Sequence, residues 1–365
     1  MMSSFGIMTL SLENEKSYIT EIAKFGEATG FNVYQFVPSS YNPLTEKVSG
    51  KVFDKDKNAW YKQDFPIPDY LYDRCYYQDD AHSRQCKNIV EWLKQKEDTV
   101  FIGNGLPNKL KLYDVLKASK LNAYIPKSKP VLSAEELLEE LSFVNPVMIK
   151  PINGSQGNGI YFIKEQNSCI HVRTDKKAKH VEHIFSDKDK FSRWLAQLLQ
   201  KNDYFSQVYL PLCTAQKQPF DIRALLQKTE QNKWEIVEKG IRLGTEGRII
   251  SNLSAGAAVI PFKEWLENAP YKMKSFIETE IDDILTTLPP ILEQTFPALF
   301  ELGVDIGITE NGSLWILDVN SKPGRKVILQ AYPDLSGKLY RAPLAYAAML
   351  RDGQRRNSNE KTLFY

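Results

Sequence analysis

Short apolar runs alternate with amphipathic segments over the first hundred residues of the chain. Runs of four to six mainly apolar residues are typical of buried strands. Strands are expected at residues 5–10, 32–37, 69–73 and 99–102. Tyr18, Ile22 and Phe25 recur at helical spacing before Gly30, which is placed to end a helix. Alternation of strands and helices predicts an α/β layer.

Two further elements complete this first region. Residues 51–63 carry alternating and aromatic positions around Asp56-Lys57-Asn58, which predicts a hairpin. Residues 83–93 have helical periodicity. The cluster Gly103-Asn104-Gly105-Leu106-Pro107 breaks both patterns and indicates a domain boundary.

Beyond that boundary the pattern changes from alternation to a mixture of helices and strands. Helices are expected at residues 109–117, from Ser133 onward, at 186–200, at 277–296 and after Pro343. Strands are expected at residues 146–149, 206–212, 222–227, 234–242, 257–262, 304–308 and 313–319. Pro289-Pro290 predicts that the helix at 277–296 is interrupted or kinked. The fold class is therefore α/β followed by α+β.

These patterns predict a division of the chain into domains. Residues 1–105 form an α/β domain, residues 106–205 and 206–351 form two α+β lobes, and residues 352–365 form a polar C-terminal tail.

The composition of the chain argues against several classes of protein. Of 365 residues, 42% are hydrophobic and 25% are charged, which is the balance of a folded globular chain. Lys plus Arg number 47 against 45 Asp plus Glu, so the net charge of +2 gives no reason to expect a nucleic-acid partner. The four cysteines have no CxxC spacing, which argues against a disulfide framework or a zinc site. No segment looks like a signal peptide or a membrane span, and we expect a cytoplasmic protein.

A glycine-rich segment follows the strand expected at residues 146–149. Lys150 ends that strand, and the segment comprises Gly154, Ser155, Gln156, Gly157, Asn158 and Gly159. Glycines free backbone N–H groups to point at an anion, typically a phosphate, and Lys150 adds a fixed positive charge. The spacing is neither a Walker loop nor a dinucleotide fingerprint, so a flexible hairpin turn is the alternative interpretation.

Two acidic residues and an asparagine could hold a metal ion. Asp318 and Asn320 are two apart on one expected strand and share a face, and Asp305 lies on the expected neighbouring strand. Hard oxygen ligands of this kind suit Mg²⁺ bound to a nucleotide. An exposed acidic strand face is the alternative, but Asp318 lies among apolar residues, where an unpaired carboxylate would be costly.

A third set of polar residues contains arginines. Asp221 and Arg223 share a strand face, and Arg242 and Arg248 follow, with Asn252 close behind. Arginine suits a developing phosphoryl or carboxylate charge because its planar fork donates hydrogen bonds in pairs. Each arginine taken singly is better explained as a surface ion pair.

Taken in order, these motifs resemble the ATP-grasp superfamily over roughly residues 105–350. The resemblance includes Lys109, Lys150 with the glycine loop, a hinge strand at 206–211, and the Asp305 and Asp318 motifs. More narrowly, the sequence is similar to the YheC/YheD family of endospore coat-associated proteins. That similarity rests on Tyr72-Asp73-Arg74 and on residues 219–223, 251–256 and 320–325. It implies an ATP-grasp fold, in which an N-terminal α/β pre-ATP-grasp domain precedes two lobes that clasp ATP.

The resemblance also implies roles for individual residues. Lys109 and Lys150 would contact the phosphates of ATP beneath the glycine loop, and Asp305, Asp318 and Asn320 would hold one or two Mg²⁺ ions, with Mn²⁺ as a substitute. Arg223 and Arg242 would face the transferred phosphoryl group, with Asn252 nearby. The adenine pocket would be lined by the hinge residues Gln207, Val208, Tyr209 and Leu210.

The implied activity is an ATP- and Mg²⁺-dependent ligase that joins a carboxylate to an amine or thiol through an acyl phosphate. Phosphoryl transfer needs positioning and charge neutralisation rather than a nucleophilic side chain. Its partners would be small-molecule carboxylates and amines, and spore-coat proteins if the chain is associated with the coat. The alternatives are a structural coat protein on the same fold, either non-catalytic or ATP-binding, and a small-molecule kinase.

Two positions depart from the superfamily pattern. Asp318 stands where a glutamate is usual, which shortens the reach toward a metal by one methylene, and Val208 stands where a glutamate commonly contacts the ATP sugar. Together with the coat association of the family that the sequence resembles, these departures are the reason for keeping a structural coat protein as an alternative.

Overall fold

The first part of the chain forms an α/β layer. In the computed structural model, which describes residues 2–154, 159–176, 179–249, 251, 257–272 and 274–362, this layer is the N-terminal sheet with its helices. Its strands are β1 (Ser3–Met8), β2 (Phe31–Asn42), β3 (Lys47–Asp54), β4 (Ala59–Pro66), β5 (Tyr70–Asp73) and β6 (Val100–Phe101). The accompanying helices are α1 (Lys16–Ala23), α2 (Gly26–Thr29) and α3 (Ala81–Leu93). The strand order is β4-β3-β2-β1-β5-β6, with β1 parallel to both β2 and β5.

The local signals of this layer act as the sequence predicts. Gly30 ends α2 with a φ of 81°, a left-handed conformation that glycine adopts without strain. Strands β3 and β4 pair as the expected antiparallel hairpin. The side chain of Asp80 caps α3 by accepting a hydrogen bond from the Ser83 N–H.

A second, antiparallel sheet follows. Its strands are β7 (Ser128–Val131), β8 (Val147–Pro151), β9 (Tyr161–Gln166), β10 (Cys169–Lys176), β11 (Lys179–Phe185) and β12 (Tyr204–Val208). Their order is β11-β10-β9-β8-β12-β7. The helices in this stretch are α4 (Lys109–Lys117), α5 (Ala134–Phe143) and α6 (Lys188–Leu199). A boundary at residue 205 would divide β12, which pairs with β7 and β8 along its length and so belongs to the second sheet.

The third sheet is also antiparallel and carries most of the candidate site. Its strands are β13 (Phe220–Lys228), β14 (Trp234–Leu243), β15 (Ala258–Pro261), β16 (Glu301–Ile308) and β17 (Leu314–Asn320), in the order β15-β14-β13-β16-β17. The remaining helices are α7 (Phe262–Asn268), α8 (Lys274–Thr295), α9 (Lys326–Ala331) and α10 (Ser336–Thr362). Helix α4 packs into the core of this sheet through Leu112, Tyr113 and Leu116, although it precedes the second sheet in the chain.

Both C-terminal helices differ from the prediction. The helix expected to be interrupted or kinked at Pro289-Pro290 is not interrupted, because the apolar face of α8 is buried in the core and that packing offsets the lost backbone hydrogen bonds. Helix α10 begins before Pro343 and continues to Thr362, so a tail from residue 352 does not describe this part of the chain. Among the described residues, no helix is both long and apolar enough to cross a membrane.

Candidate active site

Strand pairing in the third sheet brings the predicted polar residues onto adjacent positions. Asp221 on β13 lies opposite Arg242 on β14, and Arg223 lies opposite Asp305 on β16. Asp305 in turn lies opposite Asp318 on β17, next to a register irregularity. Because paired residues on neighbouring strands share a face, these side chains form one charged surface.

Asp305 is held by two guanidinium groups. Arg223 donates to both carboxylate oxygens of Asp305, with 2.9 Å between Nη2 and Oδ2. Arg242 lies 2.8 Å from the same Oδ2 and also donates to Asp221, with 2.7 Å between Nε and Oδ1. Burial opposes ionisation of Asp305, but the charges of Arg223 and Arg242 outweigh it and hold its pKa below the usual value. The arginines therefore keep Asp305 ionised, and their expected position facing the transferred phosphoryl group stays a prediction.

Lys109 pairs with the second acidic residue of the site. It is the first residue of α4, where the Asn108 side chain caps the helix by accepting from the Lys111 N–H at 3.0 Å. Its Nζ lies 3.0 Å from Oδ1 of Asp318. About a quarter of each side chain is exposed, at 23% and 26%, so the pair lies at an accessible edge.

Lys150 lies beside this pair on the second sheet. It is near the end of β8, and its Nζ donates to Oε1 of Gln207 on the neighbouring strand β12 at 2.6 Å. Burial, with a smaller contribution from the charge of Lys109, lowers the pKa of Lys150 to about 8. The two predicted phosphate-binding lysines are thus close enough to influence each other electrostatically.

Two buried polar atoms of the site lack a hydrogen-bond partner within the described residues. They are Oδ1 of Asn320 and Nε2 of Gln207. Buried polar atoms are normally paired, so an unpaired one is open to a ligand or an ordered water. The Gln207 side chain lies close to the Tyr113 hydroxyl as well as to Lys150, so Asn320 is the stronger of the two indications of a ligand.

The donor set at Asn320 fits a divalent metal ion. The unpaired Oδ1 of Asn320 and the carboxylate of Asp318 are hard oxygen donors of the kind that Mg²⁺ takes. Asp305 could also bind the ion, but its carboxylate would at the same time accept hydrogen bonds from Arg223 and Arg242. No group of three or more His, Cys, Asp and Glu residues suited to a metal occurs in the described part of the chain, so the site depends on the asparagine.

The hinge residues lie at and just beyond the C-terminal end of β12. Gln207 and Val208 close β12, and Tyr209 and Leu210 follow it. The Val208 N–H donates to the Lys127 carbonyl and the Tyr209 N–H to the Pro146 carbonyl, each at 3.3 Å. Since these two donors are used within the protein, backbone recognition of an adenine here would depend on other groups of the hinge.

The predicted glycine loop is only partly within the described residues. Gly154 and Gly159 flank the glycine loop, and Gly159 has a φ of 75° that favours glycine. Ser155, Gln156, Gly157 and Asn158, together with Asn252, lie outside the described residues.

Sequence reasoning missed two residues next to this surface. Tyr113 donates from its hydroxyl to the Leu317 carbonyl at 2.6 Å, one residue before Asp318. Glu301 is 1% exposed and begins the strand that carries Asp305. The sequence does carry a signal for Glu301, because it is a charged residue between Phe300 and Leu302. A charge in an apolar strand is expected to be buried and therefore to have a partner.

Comparison with known proteins decides the family. A family model described as YheC/D like ATP-grasp matches residues 98–350. The chain belongs to this family. The endospore coat-associated protein YheC of Bacillus subtilis (strain 168) is 36% identical over 348 residues, which is 94% of each chain.

Solved structures agree on the ATP-grasp fold. The ATP-grasp ligase PsnB, solved with its minimal precursor, aligns with a TM-score of 0.56 at 14% identity and covers 95% of this chain and 100% of its own. D-alanyl-alanine synthetase A from Vibrio cholerae aligns with a TM-score of 0.55 at 10% identity and covers 96% and 99%. At these identities the likeness concerns the fold alone.

Proposed function

We propose that this chain is an ATP- and Mg²⁺-dependent ligase that joins a carboxylate to an amine or thiol through an acyl phosphate. The observation that carries the proposal is the ion pair of Lys109 with Asp318, next to the unpaired amide oxygen of Asn320, with Lys150 near enough to be influenced by the charges of both. A nucleoside triphosphate needs positive charges beside its phosphates, which two lysines supply. Its metal ion needs oxygen ligands, which a carboxylate and an amide oxygen supply. Membership of the ATP-grasp family supports the same proposal.

Each charged residue has a task in this reaction. Lys109 and Lys150 neutralise and orient the phosphates, and Asp318 and Asn320 hold Mg²⁺, which supplies charge neutralisation when bound. Lys109 would exchange its partner from Asp318 to a phosphate as the nucleotide enters. Arg223 and Arg242 keep Asp305 ionised and place positive charge beside the transferred group.

The proposed ligase reaction has two steps, formation of an acyl phosphate and its attack by the amine or thiol. An oxygen of the substrate carboxylate attacks the γ-phosphorus, the bond to the bridging oxygen breaks, and ADP leaves. The amine or thiol then attacks the carbonyl carbon of the acyl phosphate, the bond from that carbon to the phosphate oxygen breaks, and inorganic phosphate leaves with the proton that the nucleophile loses. Closure of the lobes would exclude water and protect the acyl phosphate from hydrolysis.

Product analysis tests this proposal. The purified protein is incubated with ATP, Mg²⁺ and pools of amino acids and other carboxylates, and ADP and free phosphate are quantified beside mass spectra of the products. A ligase gives ADP, free phosphate and a condensed product in equal amounts, and Asp318→Asn abolishes all three. Lys228→Met is the control, because Lys228 is a buried, ion-paired lysine outside this site. A stable phosphorylated product without free phosphate would instead identify a small-molecule kinase.

A second candidate function is a structural protein of the endospore coat that binds ATP or has lost turnover. The cation pairs that already neutralise Asp305 and Asp318 favour it, since such a surface is stable without a ligand. The name of the Bacillus subtilis relative points to the same cellular setting. It predicts that the protein is recovered in the coat fraction of spores and that Asp318→Asn leaves this recovery unchanged. Absence from that fraction would contradict it.

A further inference from the structure

The Tyr72-Asp73-Arg74 motif has no role in the chemistry above, yet Arg74 is fully buried. Its guanidinium lies between two carboxylates. Nε is 2.8 Å from Oε2 of Glu15, and Nη1 is 2.9 Å from Oε1 of Glu301 at the start of β16. The residue therefore joins the N-terminal sheet to the strand that carries Asp305.

The same segment holds the loop that follows Asn320. Arg74 Nη2 donates to the carbonyl of Pro323 at 3.2 Å, and the Tyr76 hydroxyl lies 3.1 Å from the carbonyl of Lys322. In return, Lys322 Nζ donates to the carbonyl of Cys75 at 2.8 Å and lies 2.7 Å from Oδ2 of Asp73. Residues 73–76 thus hold residues 322 and 323 in place, and we call residues 73–76 the clamp.

The clamped loop determines the surroundings of Asn320. Asn320 lies opposite Gly303 on β16, and a Cβ added to Gly303 would lie 2.7 Å from Cβ of Pro323 and 3.1 Å from both amide atoms of Asn320. Pro323 and the Asn320 amide therefore both pack closely against the same side of Gly303. A shift of Pro323 would change the space available to the amide.

Arg325 reinforces this arrangement from the other side of the loop. Its Nη1 donates to the same Pro323 carbonyl at 2.7 Å, and its Nη2 donates to the hydroxyl of Tyr72 at 2.9 Å and to Glu301. The loop backbone is thus held by two buried guanidinium groups. Metal affinity depends strongly on outer-shell groups that orient the ligands, so these contacts can change the affinity through the orientation of the Asn320 amide.

We propose that Arg74 and Tyr76 are positioning residues that fix Asn320 for metal binding from the N-terminal sheet. This inference rests on the proposed function, since it takes Asn320 to be a ligand of the nucleotide-bound Mg²⁺. Arg74 and Tyr76 contact the loop backbone, and Asp73 and Cys75 contact the side chain of Lys322, so none of the four would be a ligand of the metal. Weakening the clamp lowers metal affinity and leaves the lysine contacts to the phosphates in place.

The test compares metal dependence with nucleotide affinity in Tyr76→Phe and Arg74→Lys. Calorimetric titration gives the Mg²⁺ concentration that half-saturates ATP binding, and a second titration in EDTA gives the affinity for ATP without metal. The expected result is a half-saturating Mg²⁺ concentration raised several-fold in Tyr76→Phe and about tenfold in Arg74→Lys. Affinity in EDTA stays at the wild-type value. Electron paramagnetic resonance of Mn²⁺ with ADP gives the same ranking independently of turnover.

Tyr346→Phe is the matched control. Its hydroxyl donates to Oδ1 of Asn232 at 3.1 Å, away from the clamp, so the variant removes the same group without touching the loop. It leaves the metal dependence unchanged. If Arg74→Lys does not fold, Tyr76→Phe decides alone.

The possible failures are distinguishable. Wild-type metal dependence in the clamp variants, with reduced thermal stability alone, would show a merely structural role and overturn the clamp proposal. Wild-type protein without metal-dependent nucleotide binding, or Asn320→Ala with unchanged metal dependence, would overturn the assignment of Asn320 in the proposed function.

Discussion

Lys150 keeps its ammonium group inside the protein, which makes its charge sensitive to pH. Its Nζ donates to Gln207, and burial lowers its pKa from 10.5 to about 8. An ordinary lysine stays charged across the physiological range. Lys150 instead begins to lose its charge just above neutrality as long as no phosphate is bound.

This residue predicts a pH dependence of nucleotide binding. Phosphate contact requires the charged form, so ATP affinity falls as the pH rises from 7 to 9, and binding at pH 8.5 takes up a proton. Titration calorimetry in buffers of different ionisation enthalpy measures both effects. Lys150→Met, which lacks the ammonium group, is expected to lose ATP binding across this whole pH range. An affinity for ATP that is constant from pH 7 to 9 in the wild type would contradict the prediction.

Single residues show where sequence reasoning succeeded and where it could not. Asp221 and Arg223 could be predicted to share a strand face, and so could Asp318 and Asn320, because alternation along one strand determines which side chains face the same way. The detailed pairing could not be predicted, since the grip of both arginines on Asp305 depends on strand order. The unpaired oxygen of Asn320 is likewise visible only once its neighbours are placed.

At the level of elements, strong local signals gave correct boundaries. Helix α4 spans Lys109–Lys117 as expected, because Asn108 is a good cap. Strands β10 and β11 were missed, since their polar and charged residues lack a continuous apolar run. The prolines of α8 predict an interruption or a kink, and the buried face that keeps the helix continuous is a tertiary effect that the prolines themselves do not reveal.

The continuity of α8 makes Pro290 a testable position. Pro290 is exposed, and alanine there would restore a backbone donor without removing core packing. Pro290→Ala is expected to raise the free energy of unfolding by about 1 to 3 kcal/mol. Urea unfolding measures this change. Thr279→Ala, at an exposed site of the same helix, is the control and gains about 0.5 kcal/mol from helix propensity alone. Equal gains in the two variants would contradict the prediction.

At the scale of the whole molecule, a buried ionic network joins the N-terminal sheet to the third sheet. Glu301 accepts from Arg74 and Arg325 through its two oxygens and from the hydroxyl of Tyr72. Arg74 and Glu301 are 0% and 1% exposed, so water does not screen their charges. The domains expected from sequence are therefore joined through charged partners that hydrophobic patterning does not reveal.

Glu301→Gln tests how strongly this network stabilises the fold. The variant leaves two buried guanidinium groups with less negative charge between them, and the expected loss is about 3 kcal/mol or more of unfolding free energy. Glu235→Gln is the control, because its pair with Lys338 is exposed and contributes at most about 1 kcal/mol. Urea unfolding followed by circular dichroism measures both. A loss in Glu301→Gln no larger than in the control would contradict a stabilising role.

The central claim is that Lys109, Lys150, Asp318 and Asn320 form one site for ATP and Mg²⁺. Calorimetric titration of the wild type and of Lys150→Met with ATP, each with Mg²⁺ and with EDTA, tests it most directly. The account predicts saturable binding in the wild type that strengthens with Mg²⁺ and is lost in Lys150→Met, although the variant remains folded. Wild-type protein that binds no ATP, or a variant that binds as the wild type does, would contradict it.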